Sequence, residues 1–460
     1  MPRASDPADA DSVASSVENP DPQPPALQTP ERKGLLNQLG WRRFGRNVWL
    51  LLLFTLGKGF QLSIGAVTIN LYVYSLGYRQ DFVGLFAGMS ALAALLMAIP
   101  AGMIADHLGR KPVLLITGLI TPLTLVAIAL SASAPALLIA GFANGIFASF
   151  YWVTAVPMLA DNLDDEARVG ALGMNSFLLL GVGSLGSLIG GFVPELAAAW
   201  LQLPAVSPVP LRCGVLSAAV IVTLAALPLF WLRMPRSSAR LTAQGQMETD
   251  QQSAHLKPSK QAEIQTQPTA PARALLVLGA MLLIPDLFIT FGEGMVLGLL
   301  QLFFHIKFGL EPGALGGLFT VAGILGGLAG LGAPLLVKRW GKLRTATSLQ
   351  LATAPAMLIT GFSPWLPLAA GAEYMRTLMR ALIDPVYSAF AIEQLPEERR
   401  ATLFGFYSVT WGLGFSFGPS LAGWLQEYIG LWSPFVVGAI CLTVAPTMLL
   451  VFFGRRQRPA

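Results

Sequence analysis

Twelve long stretches of this chain carry almost no charge. They run at about 47–75, 82–105, 112–131, 135–160, 169–194, 211–233, 274–305, 313–337, 344–363, 366–392, 402–426 and 432–453. A helix rises 1.5 Å per residue, so about 20 apolar residues cross the hydrocarbon layer of a bilayer. Runs such as Val113 to Leu130 are apolar on every face, whereas a transmembrane strand alternates apolar and polar over about ten residues. The expectation is an all-α membrane protein with twelve transmembrane helices. Composition agrees: 54% of residues are apolar and 12% charged, about half of the roughly 25% charge a soluble chain carries. An ordinary water-soluble enzyme is excluded, because such a surface needs charge to cover it.

Twelve crossings put both termini on one side. With the N-terminus in the cytoplasm, cytoplasmic segments hold 24 of the 30 Lys and Arg, and the outer loops hold three, Arg79, Arg212 and Lys307. Basic flanks stay cytoplasmic, so a multi-pass protein of the cell membrane with both termini cytoplasmic is expected. Arg42, Arg43 and Arg46 precede the first helix, and Arg455, Arg456 and Arg458 follow the last. Residues 1–46 read as a disordered or interfacial tail, with no apolar stretch behind a basic start that would mark a cleaved signal peptide. Residues 47–233 form one six-helix half and 273–453 the other. Residues 234–272, rich in Gln, Ser, Thr and Pro, read as a flexible cytoplasmic linker, and 454–460 as a short tail. The net charge of +5 is too small and dispersed for a nucleic-acid partner, and a monomer is expected.

The two halves repeat at an offset of 232 residues. Asp161 matches Glu393, Glu166 matches Glu398, Arg168 matches Arg400, and Gly77, Gly109, Gly173, Gly186 and Gly191 match Gly309, Gly341, Gly405, Gly418 and Gly423. With three residues of slippage, Gly57-Lys58-Gly59 matches Gly292-Glu293-Gly294. Six helices per repeat make the repeats parallel, which places a substrate path between them at mid-membrane.

Between the second and third segments stands Gly102-Met-Ile-Ala-Asp106-His-Leu-Gly109-Arg110-Lys111. Gly102 allows close helix contact, Asp106 ends a helix, Gly109 permits a tight turn, and Arg110 and Lys111 keep the loop cytoplasmic. This resembles the hallmark loop of the major facilitator superfamily. The second copy is Pro334 to Lys342, with Lys338 where Asp106 stood. The resemblance covers about residues 47 to 453 and implies alternating access by rocking of two halves. It also implies a gating role for Gly102, Asp106, Gly109, Arg110 and Lys111, with the aspartate and arginine holding the second helix against the eleventh in one state. Gly186-Ser187-Leu-Ile-Gly190-Gly191 and Gly414 to Gly423 are similar to a glycine motif of antiporters, and read as helix-packing surfaces. In the fourth segment Asn144-Gly145 fits the antiporter pattern, but Gly141 stands where that pattern has an arginine.

Seven ionisable residues fall inside the apolar segments: Lys58 in the first, Asp286 and Glu293 in the seventh, and Glu373, Arg376, Arg380 and Asp384 in the tenth. Each costs about 2.5–3.5 kcal/mol at mid-bilayer, so its presence asks for a function. The resemblance lines a central cavity with helices 1, 4, 7 and 10, and all seven lie on three of these. Spacings of 3, 4 and 4 put the four charges of the tenth segment on one stripe. Lys58, Arg376 and Arg380 are expected to attract an anionic or zwitterionic substrate, with Glu373, Asp384, Asn144 and Trp152 completing the pocket. Glu293, with Asp286, is expected to alternate between pairing with a cation and holding a proton. A permanently paired, purely structural network is the other reading of these charges.

Other signals point nowhere. Gly414-Phe-Ser416-Phe-Gly418 satisfies a nucleophile pattern but lies in an apolar helix with no strand before it. His107, His255 and His305 offer no base for it, and Cys213 and Cys441 read as core residues. No phosphate-binding loop and no metal-ligand spacing occur, so neither enzyme activity, cofactor nor metal is expected. The functional expectation is a secondary transporter, the likeness suggesting proton-coupled efflux of a small organic molecule. Proton-coupled uptake of an organic anion and a non-transporting sensor or scaffold are the alternatives.

Overall fold

In hydrocarbon every backbone N–H and C=O must be satisfied within the protein, and an α-helix does this inside a single segment. The computed structural model follows that rule. It describes residues 44–161, 163, 165–232, 272–394 and 400–454, and every regular element among them is helical. The expected N-terminal tail up to residue 43, nearly all of the linker, Glu398 and the basic residues Arg455, Arg456 and Arg458 lie outside the described residues.

The described residues form twelve helical rods. They are α1 (Arg46–Ser75), α2 (Gln80–Leu108), α3 (Arg110–Leu130) and α4 (Ala134–Asp161). Rod α5 joins Asp165–Ser176 to Gly186–Leu201 through a π turn at Phe177–Gly181 and a 3-10 turn at Val182–Leu185. Rod α6 is Pro208–Ala226 with a 3-10 turn at its end. Rod α7 runs Ala272–Leu297 and, after a break, Leu300–Phe308. Rod α8 runs Pro312–Ala329 and then Ala333–Trp340. Last come α9 (Lys342–Phe362), α10 (Leu366–Glu393), α11 (Arg400–Tyr428) and α12 (Ser433–Phe453). Nine of the helices among the described residues are long and apolar enough to cross a membrane. α9, α10 and α11 fall outside that group; α9 carries threonines along its length and α10 its four charges.

Packing repeats as the sequence does. In the first half α1 packs on α5 and α6, α2 on α4, and α3 on α4 and α6. In the second half the equivalents recur: α7 on α11 and α12, α8 on α10, and α9 on α10 and α12. The two short loops at the equivalent turns use Gly109 (φ +86°) and Gly341 (φ +77°), a region closed to most side chains. Beside them Arg110 pairs with Asp161, and Lys342 pairs with Glu393. Both partners of the second pair stand 232 residues after those of the first.

The halves meet along two seams, α2 against α11 and α5 against α8. The approaches are backbone to backbone. A Cβ on Gly84 would overlap the Pro419 carbonyl, and one on the equivalent Gly316 would overlap the Ser187 carbonyl. Thr320 donates to the Ser184 carbonyl at 3.0 Å, where its equivalent Gly88 lies against the Ser416 carbonyl. The close approaches run from the face opposite the termini, here the far face, to Leu95–Gly412 and Gly181–Gly327 at mid-helix. Asn70 of α1 adds a hydrogen bond to the Gly298 carbonyl at 2.7 Å.

Candidate substrate site

The stripe on α10 faces α7. Arg376 donates from Nη1 to Glu293 at 2.6 Å and, through Nε and Nη2, to both oxygens of Glu373 at 2.9 and 2.6 Å. Arg380 reaches the same Glu293 oxygen at 3.1 Å and lies 3.8 Å from Asp384. Arg376 is 1% exposed and Glu293 4%. In such surroundings a lone charge is very costly, and only this mutual pairing holds both. On the next turns of α7 toward the termini, Asp286 accepts a hydrogen bond from Thr410 of α11.

A cavity of about 250 Å³ opens beside this network. Asp286, Thr290, Glu293, Arg380, Asp384 and Tyr387 line one side, and Tyr407, Trp411 and Phe415 of α11 the other. Trp411 and Phe415 stack at 4.8 Å, and Tyr387 meets Tyr407 edge-on at 6.0 Å. Tyr387 also donates to the Leu282 carbonyl at 3.1 Å, bracing α10 on α7. The cavity lies toward the termini relative to the sealed half of each seam. Among the groups of this cluster, Arg376 and Arg380 offset Glu293 and Glu373, which leaves Asp286 and Asp384 as surplus carboxylates. Carboxylates beside π faces suit a cationic group. Among the described residues no His, Cys, Asp and Glu group could hold a metal ion.

The structure brings together Glu293, Asp286, Glu373, Arg376, Arg380 and Asp384, and leaves the rest elsewhere. Lys58 is buried in the first half, where it donates to Gln61 at 2.6 Å and lies 5.2 Å over the Tyr151 ring. It is not beside the arginines with which an anion-binding set was expected. Residue counting gives depth in the membrane, and the direction of a side chain depends on its neighbours. Arg376 is sealed among carboxylates and positions Glu293; it does not face open space. Asn144 turns to α3 and donates to Thr124 at 2.9 Å. Trp152 is 44% exposed and contacts the Tyr151 ring edge-on.

In the hallmark loop, Arg110 pairs with Asp161 of α4, Lys111 donates to the Leu232 carbonyl at 2.6 Å, and Asp106 is exposed. A Cβ on Gly102 would sit 3.7 Å from Val153, an ordinary contact, so the close approach expected there is absent in this conformation. The glycines of α5 and α11 do form close seams, as expected. Sequence reasoning missed the α11 aromatics, Thr410, and the glutamates Glu195 and Glu427. The last two stand at the 232-residue offset, a signal that was there to be read.

The family model of the Major Facilitator Superfamily matches residues 49–375 and 352–460. The chain is 28% identical over 165 residues to the multi-drug resistance efflux pump PmrA of Streptococcus pneumoniae, covering 35% of this chain and 40% of that protein. It is 39% identical over 74 residues to the multidrug resistance protein MdtL of a Shewanella strain, 16% of this chain and 19% of that one. The matched stretches therefore span well under half of these relatives. Among solved structures, a D-xylose-proton symporter superposes with a TM-score of 0.67 at 15% identity, covering 88% of this chain and 96% of that one. The nucleoside transporter NupG superposes at 0.63 and 16% identity, covering 90% and 100%. At such identities these likenesses show the fold alone, and it is the fold derived above: two parallel six-helix repeats meeting at equivalent seams. The chain is a multi-pass membrane protein of the major facilitator superfamily.

Proposed function

We propose that this transporter moves a small organic molecule by alternating access and exports it in exchange for protons. The observation that carries the reading is the cavity beside the Glu293 network, lying on the termini side of two seams closed toward the far face. A cavity lined by buried ionisable groups of the second half, Glu293 and Asp286 among them, is what a carrier needs and a scaffold does not. The 24 to 3 distribution of basic residues supports a cytoplasmic termini side in the cell membrane, from which this conformation would load. Export is supported by the likeness to PmrA, a multi-drug resistance efflux pump. Proton coupling is supported by Glu293 and Asp286, buried carboxylates that border the cavity. The protein is expected to work as a monomer. Uptake of an organic anion fits less well, because the cavity lining has three carboxylates to one arginine and Lys58 lies apart.

The test is flux of a compound panel in proteoliposomes under imposed pH gradients, with a pH dye inside. Substrate-dependent proton movement opposite to substrate supports exchange, and movement in the same direction supports uptake. Binding without flux for every compound would leave a sensor. Flux that ignores protonophores would remove the proton from the mechanism.

A further inference from the structure

Neither α2 nor α8 is capped by its own N-cap residue. Their N-cap residues are Arg79 and Glu311, and neither makes a capping hydrogen bond from its side chain. The first N–H groups of a helix need acceptors, and the positive end of the helix dipole favours a carboxylate there. In both helices a carboxylate of the opposite half accepts from a first-turn amide; in α2 the helix's own Asp81 accepts from the Phe82 amide at 2.7 Å as well. Glu427, at the end of α11, accepts from the Gln80 amide at 3.1 Å. Glu195, on α5, accepts from the Gly313 amide at 2.8 Å.

The two glutamates are 232 residues apart, the offset of the repeat. The amides differ by one position for a chemical reason. The residue equivalent to Gln80 is Pro312, which has no N–H, so the cap moves to the next residue. Residue 313 is glycine, and a Cβ there would overlap the Glu195 carboxylate. The two contacts differ in strength. Arg79 also pairs with Glu427 at 2.7 Å, while its equivalent on α8 is the acidic Glu311.

We propose that Glu195 and Glu427 are paired latches that keep the far face closed by capping, each in trans, the helix that the other half presents. For the far face to open, α2 must leave α11 and α8 must leave α5, and each departure strips a helix N-terminus of the carboxylate that the other half supplies to it. The inference rests on the reading that the chain works by alternating access, but not on substrate or coupling ion.

The test uses the full chain with Cys213 and Cys441 replaced by serine and spin labels at Ala132→Cys and Pro364→Cys. These are exposed, equivalent positions in far-face loops. Pulsed dipolar spectroscopy then reports far-face opening whether or not any compound is carried. The parent should give a short-distance population. Glu427→Ala should raise the open-to-closed ratio about tenfold or more, on the order expected for a charge-assisted hydrogen bond. Glu195→Ala should raise it less, since it lacks an arginine partner, and the double variant more than either. Glutamine at each site should restore part of the closed population, because its carbonyl still accepts. Lys307→Gln removes a far-face charge whose contacts, the Gly361 carbonyl and the Phe303 and Phe308 rings, lie within its own half, and should leave the distances unchanged. An unmoved distance distribution in the folded double variant, or an equal shift from Lys307→Gln, overturns the proposal. Far-face opening without any flux would leave the latches standing and remove the transport reading.

Discussion

Arg376 and Glu293 are joined at 2.6 Å where water hardly reaches, and the same guanidinium grips Glu373 with its other two nitrogens. The arginine is thus spent on holding carboxylates in place. Removing it by Arg376→Met leaves Glu373 buried without a counter-charge. The expected loss is about 3–5 kcal/mol, read as a clear fall in melting temperature in detergent. Arg376→Met with Glu373→Gln should recover much of it, since no lone charge is then buried. A single variant as stable as the parent would mean the network is not holding α10 to α7.

Glu293 differs from Glu373 in being shared between two arginines, one of them bordering the cavity. Release of Glu293 from both arginines would leave it able to take a proton. Glu293→Gln is therefore expected to make flux indifferent to an imposed pH gradient while leaving substrate binding within a few-fold. Coupling that survives intact would move the proton elsewhere, to Asp286 first.

Asp286 and Asp384 supply the surplus negative charge of the cavity. Asp384→Asn and Asp286→Asn are each expected to weaken binding of an aromatic organic cation by several-fold, and to weaken a neutral compound of the same shape much less. Tetraphenylphosphonium is a suitable probe, and quenching of Trp411 a suitable signal, with Trp411→Phe identifying the contribution of that ring.

Two glycines at the contact of α2 with α4 make a matched test. A Cβ on Gly145 would overlap the Ser90 carbonyl, whereas one on Gly102 would meet Val153 at 3.7 Å. Gly145→Ala should cost about 1–3 kcal/mol through overpacking. Gly102→Ala should be neutral or slightly stabilising, since alanine is the better helix former. If Gly102→Ala melts like the parent but stops transport, the glycine is needed for a close approach in the opposite conformation.

Much of the fold could be read from the chain because its rules are one-dimensional. Hydrocarbon thickness fixes helix length, and duplication leaves a constant offset. The Gly109 and Gly341 turns, the two ion pairs beside them and both seams obey that offset. The site was legible in part. Spacing on α10 placed four charges on one face, and the structure confirms the face. Spacing could not say what stands opposite, so Trp411 and Phe415 went unseen. Nor could it show that Lys58 turns to Gln61 and Tyr151, or that Asn144 turns to Thr124. Helix periodicity orders residues around one axis; the cavity is a property of several axes at once.

The seams carry a further consequence for how the chain can be made. They are built from backbone approaches and small residues, repeated on both sides of a pseudo-twofold axis, within the described residues of each half. Such surfaces need no covalent tether to find each other in a membrane. Co-expression of residues 1–250 and 251–460 as separate polypeptides is expected to give a complex that co-purifies through a tag on either piece. Gly84→Leu or Gly316→Leu, each wedging one seam, should reduce that recovery.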